Sequence, residues 1–146
     1  MDASEIEACL GKTEDDPAVV QLFAKLGVTK RPKLVDFVAT IELPSFGLRL
    51  ALTAEGPKSS RLVLGAITFQ SDNEEGYTPF PGVLPRGLSF DDAKADVRAK
   101  LGPPTAAIDR ARLDHWVEGK RRLSVSYRRT QDRIAYVMHS TIDDEG

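Results

Sequence analysis

Cysteine is nearly absent from this chain, since Cys9 is the single example in 146 residues. One cysteine cannot form an internal disulfide bond or supply a multi-cysteine zinc site, which favours a reducing compartment. No stretch approaches the roughly 18 apolar residues that cross a bilayer. The beginning of the chain is acidic at Asp2, Glu5 and Glu7 and lacks the basic start and apolar core of an export signal. These absences predict a cytoplasmic protein.

The motifs of common enzymes are missing as well. No glycine pattern matches a phosphate-binding P-loop or a dinucleotide-binding turn. The two histidines, His115 and His139, lie in or beside predicted strands and outside any metal-ligand spacing, so we assign them structural roles. Cys9 lies in a short predicted helix, where a buried thiol is more usual than a nucleophile. The sequence therefore predicts a protein that is not an enzyme and has no metal or cofactor.

The composition fits one compact domain over residues 1–146, with 41% hydrophobic residues, 29% charged residues and a net charge of -2. The spacing of Ser4 and Glu7 is that of a capping box, which predicts a first helix over residues 4–10. Asp16 before Pro17 predicts the start of a second helix that ends at Gly27. The N-terminal part thus begins with two helices.

Alternating apolar residues predict strands in both halves of the chain. In the first half they cover residues 37–43, 48–52 and 63–69. After a helix that begins near Ser89 and ends at Gly102, they cover residues 113–117, 123–127 and 134–138. Trp116 lies in the fourth of these strands, where we expect a core anchor, the alternative being an exposed interface residue.

The order of elements repeats along the chain, and the tetrapeptide at 24–27 recurs at 99–102. We interpret this as a degenerate internal repeat, a chance match of four residues being the alternative. The predicted fold is α+β, with two tandem helix-helix plus antiparallel-sheet units, residues 4–70 and 88–142, that share one core. Residues 71–87 connect them.

The connecting segment combines acidic residues with aromatic ones and is rich in proline. One interpretation is structural, with Tyr77, Phe80 and Val83 pinning the segment onto the core. The other is a partner-binding loop, in which acids attract a basic ligand and aromatic rings anchor it. The candidate partner-binding residues are Asp72, Glu74, Glu75, Tyr77 and Phe80.

Charge is uneven along the chain, because residues 1–76 carry a balance of -4 and residues 77–146 one of +2. The basic excess suggests a patch on the second sheet and hence a nucleic-acid-associated or regulatory domain. The acidic total and the absence of an aromatic RNA-binding motif weaken that alternative. The patch would comprise Arg110, Arg112, Lys120, Arg121, Arg122, Arg128, Arg129 and Arg133.

The second half resembles one unit of a group of tandem helix-helix-sheet folds. The resemblance is carried by residues 87–90 and 99–104, by Trp116 and by the strand 123–127. The group includes the outer-membrane assembly lipoprotein BamE and the beta-lactamase inhibitory protein. This chain departs from both in lacking a lipoprotein signal and a disulfide set, so the resemblance implies the fold and neither function.

A longer set of motifs is similar to small bacterial proteins regarded as immunity partners of secreted toxins. It includes Leu26-Gly27, Tyr77, the run 81–90 and Asp114-His115-Trp116. The resemblance implies a non-enzymatic immunity protein that binds and neutralises a cognate toxin in the cytoplasm. The expected partner is therefore a toxin or effector protein, with no membrane involved and with nucleic-acid binding left as the less favoured alternative.

Overall fold

A computed structural model describes residues 1–73, 75–130 and 132–142. Glu74, one of the candidate partner-binding residues, lies outside the described residues. The helices are α1 (Ala3–Glu7), α2 (Pro17–Lys25) and α3 (Lys94–Leu101). The strands are β1 (Val38–Leu43), β2 (Leu48–Ala54), β3 (Leu62–Gln70), β4 (Ala106–Ile108), β5 (Leu113–Glu118), β6 (Arg121–Tyr127) and β7 (Ile134–Thr141).

All seven strands belong to one antiparallel sheet in the order β1-β2-β3-β7-β6-β5-β4. The two halves meet where β3 pairs with β7, with Ile67 opposite His139 and Phe69 opposite Val137. Backbone hydrogen bonds therefore run without a break from β1 to β4. A sheet of this kind needs no separate core for each half.

The predicted α+β fold with two tandem helix-helix plus sheet units is therefore wrong. The molecule is mostly one seven-stranded antiparallel sheet with three short helices in its described residues. The second half contributes one of these helices, because the segment before α3 contains Pro79, Pro81 and Pro85, which cannot donate backbone hydrogen bonds. The six strands predicted from alternation are present, with ends shifted by up to three residues.

Of the two helix caps predicted in the N-terminal part of the chain, the structure contains one. The Asp16 side chain accepts a hydrogen bond from the Ala18 amide at 2.9 Å, which confirms the predicted cap of α2. The predicted capping box of Ser4 and Glu7 is wrong, because α1 begins after Asp2 and ends at Glu7. Strand β4 was missed, since its three residues are exposed and include two alanines, which favour strands weakly.

The helices and the connecting segment pack on one face of the sheet. Side chains that alternate along the strands, such as Leu50 in β2 and Val125 in β6, form one cluster with Ile6 of α1, Val19 of α2 and Val97 of α3. We call the opposite side of the sheet the open face. No described residue on the open face belongs to the buried apolar cluster, so the fold has two layers.

Gly47 fixes the path of the connecting segment at one end of the sheet. Its φ is 64°, and an added Cβ would lie 2.3 Å from the backbone nitrogen of Phe80. The Phe80 amide donates to the Gln70 carbonyl at 2.9 Å, while the Gln70 amide donates to the Gly47 carbonyl at 2.8 Å. The close approach requires glycine and holds the segment against β2 and β3.

Among the described residues, the helices are too short and too polar to cross a membrane.

Candidate functional site: partner-binding surfaces

The aromatic residues of the connecting segment point inward. Phe80 is 6% exposed, and its ring meets that of Phe69 edge-on at a centroid distance of 5.0 Å. Tyr77 is 4% exposed beneath the guanidinium of Arg49, which lies 5.7 Å from the ring centre. These two rings pin the segment in place, whereas Val83 is exposed. Anchoring of a partner by Tyr77 or Phe80 stays a prediction and would require the ring to leave its site.

The described acids of the same segment are already paired with arginines. Asp72 lies 2.5 Å from a guanidinium nitrogen of Arg128, and Glu75 lies 3.2 Å from one of Arg49. A hydrogen bond from Ser71 and the charge of Arg128 hold the pKa of Asp72 below its ordinary value. Pairing reduces the field that these acids project toward a basic partner. Long-range attraction is therefore weaker than the sequence alone suggests.

These ion pairs border a cleft of about 390 Å³ at one end of the open face. Arg49, Gln70 and Tyr136 belong to the sheet, and Asp72 and Glu75 to the connecting segment. The structure thus brings Asp72 and Glu75 of the predicted loop to the rim of the open face. It brings Phe80 into the core on the other side.

The open face combines short buried polar side chains with longer ones that stand above them. Short side chains form its floor because they alternate with the core residues of the same strands. The short ones are Thr68, Ser124, Ser126 and Ser140, beside the buried Gln70, and the longer ones include Arg49, His115, Arg122, Tyr136 and Met138.

Two neighbouring groups near the middle of the open face lack hydrogen-bond partners. Arg122 in β6 lies opposite Ser140 in β7, and neither Arg122 Nε nor Ser140 Oγ has a partner within the described residues. Beside them, His115 Nδ1 lies 2.7 Å from Ser124 Oγ. Burial and the charge of Arg122 lower the pKa of His115, which keeps the imidazole neutral at pH 7. The centre of the face thus holds a guanidinium nitrogen and a hydroxyl that are buried without a hydrogen-bond partner in the described residues.

The basic residues predicted to form one patch are divided by strand alternation. Arg121 points to the helical side of the sheet and donates to the Leu10 carbonyl at 3.0 Å, while Arg122 lies on the open face. Arg128 is paired with Asp72, and Arg133 lies 3.9 Å from Asp91. These described arginines therefore do not share one face of the sheet, and two of them are already paired with carboxylates.

An exposed hairpin tip precedes β1 and was missed by the sequence analysis, which placed Phe37 inside a strand. Val35 and Val38 exchange backbone hydrogen bonds of 2.8 and 3.2 Å around Asp36 and Phe37. Both central residues have left-handed backbones, with φ of 52° and 71°, as in a type I′ turn. A left-handed backbone is unfavourable by about 1 to 2 kcal/mol at a residue that has a Cβ atom, such as phenylalanine. Strain of this kind often marks a functional site.

A groove of about 370 Å³ lies between α2 and the segment that follows it. Its far wall is held by Arg31, which donates to both carboxylate oxygens of Glu14 at 2.8 and 2.9 Å. Glu14 also accepts from the Leu62 amide at 2.6 Å, which ties the wall to β3. Most of its lining is apolar and comprises Val20, Phe23, Ala24, Val28, Pro32 and Leu52.

The residues considered for chemistry lie in structural settings. Cys9 is buried, and burial raises the pKa of its thiol, which disfavours the nucleophilic thiolate. His139 Nδ1 lies 2.5 Å from a carboxylate oxygen of Glu7, joining β7 to α1. Within residues 1–73, 75–130 and 132–142, no group of three or more histidine, cysteine or acidic side chains is placed to hold a metal.

Comparisons with protein-family models, with curated proteins and with solved structures gave no match to this chain. The resemblances to BamE-like units and to immunity proteins are therefore expectations drawn from the sequence.

Proposed function

We propose that the chain is a non-enzymatic immunity protein that neutralises a secreted bacterial toxin by placing its open face on the toxin. The observation that carries the proposal is that this face has no covering layer in the described residues while its centre holds unpartnered polar groups. A buried donor without an acceptor is unfavourable by about 1 to 3 kcal/mol. Both atoms are buried in the isolated chain, so a partner that supplies the acceptor removes this penalty only when the side chains turn outward to meet it.

The chemistry of the face indicates what its partner presents. Arg122 is a cation without an ion pair among the described residues, and Ser140 beside it can donate its hydroxyl proton. A carboxylate of the toxin suits this centre, because a guanidinium binds carboxylates through parallel hydrogen bonds. Met138 and Tyr136 add adaptable apolar contacts around this centre.

The acids of the connecting segment keep a role at the rim of the proposed interface. Asp72 and Glu75 lie in the cleft that borders the open face. Exposed rim charges mainly change the association rate and its salt dependence. Replacing Asp72, Glu74 and Glu75 with their amides is therefore expected to slow association with the toxin while leaving the dissociation rate nearly unchanged, as surface plasmon resonance would show.

Genetic context and co-expression test the proposed function directly. We expect the gene beside that of this chain to encode a secreted effector. Expression of its toxic domain should arrest growth, and co-expression of this chain should restore it, with a one-to-one complex on purification. Absence of such a gene, or growth arrest that this chain does not relieve, would contradict the proposal. Salt-dependent binding to generic DNA or RNA without toxin binding would favour the nucleic-acid alternative.

Replacement of Arg122 identifies the face that is used. Arg122→Ala should weaken toxin binding about 30-fold, which corresponds to about 2 kcal/mol for a central interface residue. Arg110→Ala is the matched control, because Arg110 is exposed in the turn between β4 and β5. Calorimetric titration measures the affinity of both variants for the toxin. Wild-type affinity of the Arg122→Ala variant would show that the centre of the open face lies outside the interface.

A further inference from the structure

The position of Phe37 at the hairpin tip is not explained by packing against any described residue. Its surface is 90% exposed, the largest fraction of any exposed large hydrophobic side chain among the described residues. Its backbone is left-handed, a conformation that asparagine or glycine adopts more easily. Val35, which is 65% exposed, and Leu34 extend the apolar surface of the tip. A phenyl ring kept in water on a strained turn points to an intermolecular contact.

The apolar groove beside α2 lies at the same end of the molecule as this tip. Leu52 lines the groove and is paired in the sheet with Ala39, which follows Phe37 by two positions. The groove of about 370 Å³ exceeds the 150 Å³ or so of an apolar cavity that admits benzene. The Arg31–Glu14 contact fixes its far wall, so the site is preformed.

We propose that two copies of this chain form a dimer by inserting Phe37 of each copy into the α2 groove of the other. In a two-fold dimer the same patch must be complementary to itself, so a protrusion and a recess have to lie near each other on one surface. The tip and the groove satisfy this condition. The open face takes no part in the contact and stays free on both copies.

The charges beside the tip and the groove are complementary in the same arrangement. Asp36 stands next to Phe37 in the tip, and Lys30 lines the groove. Neither side chain forms an ion pair within the described part of the chain. When Phe37 enters the groove of the second copy, Asp36 approaches the lysine on its rim. This pairing favours a second copy over a partner with a basic apolar surface.

Sedimentation equilibrium of the purified chain over a range of concentrations tests the dimer without any toxin, so its outcome is independent of the proposed function. We expect the wild type to dimerise reversibly. Phe37→Asn should raise the dimer dissociation constant about 30-fold for each of two contacts, or about a thousandfold. Its melting temperature under monomeric conditions should be unchanged or higher, since asparagine suits the left-handed turn.

A second variant tests the α2 groove, which is the other half of the proposed contact. Val20→Arg places a charge in the groove from an exposed position of α2 and should also give a monomer, whereas Val83→Asn removes an exposed apolar side chain elsewhere and should not. An equimolar mixture of the Phe37→Asn and Val20→Arg chains retains one intact contact and should associate more tightly than either alone. A wild type that stays monomeric at the highest soluble concentration, or a dimer unaffected by both variants, would overturn the proposal.

Discussion

Replacing Trp116 with alanine is expected to lower the free energy of unfolding by about 3 to 5 kcal/mol. Trp116 is 8% exposed on the helical side of β5, and its indole Nε1 donates to the Gly102 carbonyl at 3.1 Å. Gly102 ends α3. The substitution therefore leaves a cavity, frees a carbonyl at a helix end and weakens the contact between α3 and the sheet.

Urea denaturation followed by circular dichroism measures this effect. Val117→Ala serves as the control, because Val117 is the next residue of β5 and is 43% exposed on the open face. We expect the control to change the unfolding free energy by less than about 1 kcal/mol. A Trp116→Ala protein as stable as the control would show that the indole contributes little to the core, and would revive its alternative assignment as an interface residue.

Replacing Asp114 with alanine is expected to lower the unfolding free energy by about 3 kcal/mol. The carboxylate is 1% exposed and accepts hydrogen bonds from Arg98 at 2.9 and 3.0 Å and from the Tyr127 hydroxyl at 2.8 Å. Its removal leaves the buried Tyr127 hydroxyl without an acceptor. Arg98 is partly exposed and regains water. The expected loss of unfolding free energy is therefore near the lower end of the range for breaking a buried ion pair.

A double-mutant cycle separates this network from simple loss of packing. Tyr127→Phe removes the hydroxyl that Asp114 accepts, so it should be less destabilising in the Asp114→Ala background than in the wild type. Asp109→Ala is the control, since Asp109 is exposed in the turn before β5. Additive effects of the Asp114 and Tyr127 substitutions would contradict the assigned hydrogen bond.

The contribution of Asp114 should also depend on pH. Burial by itself raises the pKa of this carboxyl, but the hydrogen bonds from Arg98 and Tyr127 outweigh it and leave the pKa below its ordinary value of 3.8. A folded-state pKa below the unfolded one stabilises the protein above the unfolded value, and that stability is lost as the pH falls through the folded value. The stability difference between wild type and Asp114→Ala should therefore be constant near neutral pH and shrink below about pH 4.

The strands were accessible to sequence reasoning because their signal is local. Alternation along β2 and β3 records which side chains meet the core, and the turns between strands are marked by proline and glycine. The same reasoning placed Trp116 in the core, which the structure confirms. It also found the Asp16 cap of α2, since a cap involves residues only two positions apart.

The surfaces were decided by contacts between distant residues. Asp72 is paired with Arg128, 56 positions away, and Arg49 covers Tyr77, so the acidic aromatic loop is partly neutralised and partly buried. The alternation of apolar residues predicts Phe37 at the start of a strand, whereas its left-handed backbone places it in a turn. No short window of sequence contains the contacts of Asp72 with Arg128 or of Arg49 with Tyr77.

The sequence by itself determined the approximate positions of six strands and the cap of α2, and it favoured a core position for Trp116 without excluding an interface. Only the tertiary structure decided that β3 pairs with β7 to make one sheet rather than two units, and that one face of this sheet stays open. Alternation shows that a strand has an apolar side, but the pairing of strands depends on which hydrogen-bonding edges meet after the chain has folded. That choice depends on the energy of the whole chain.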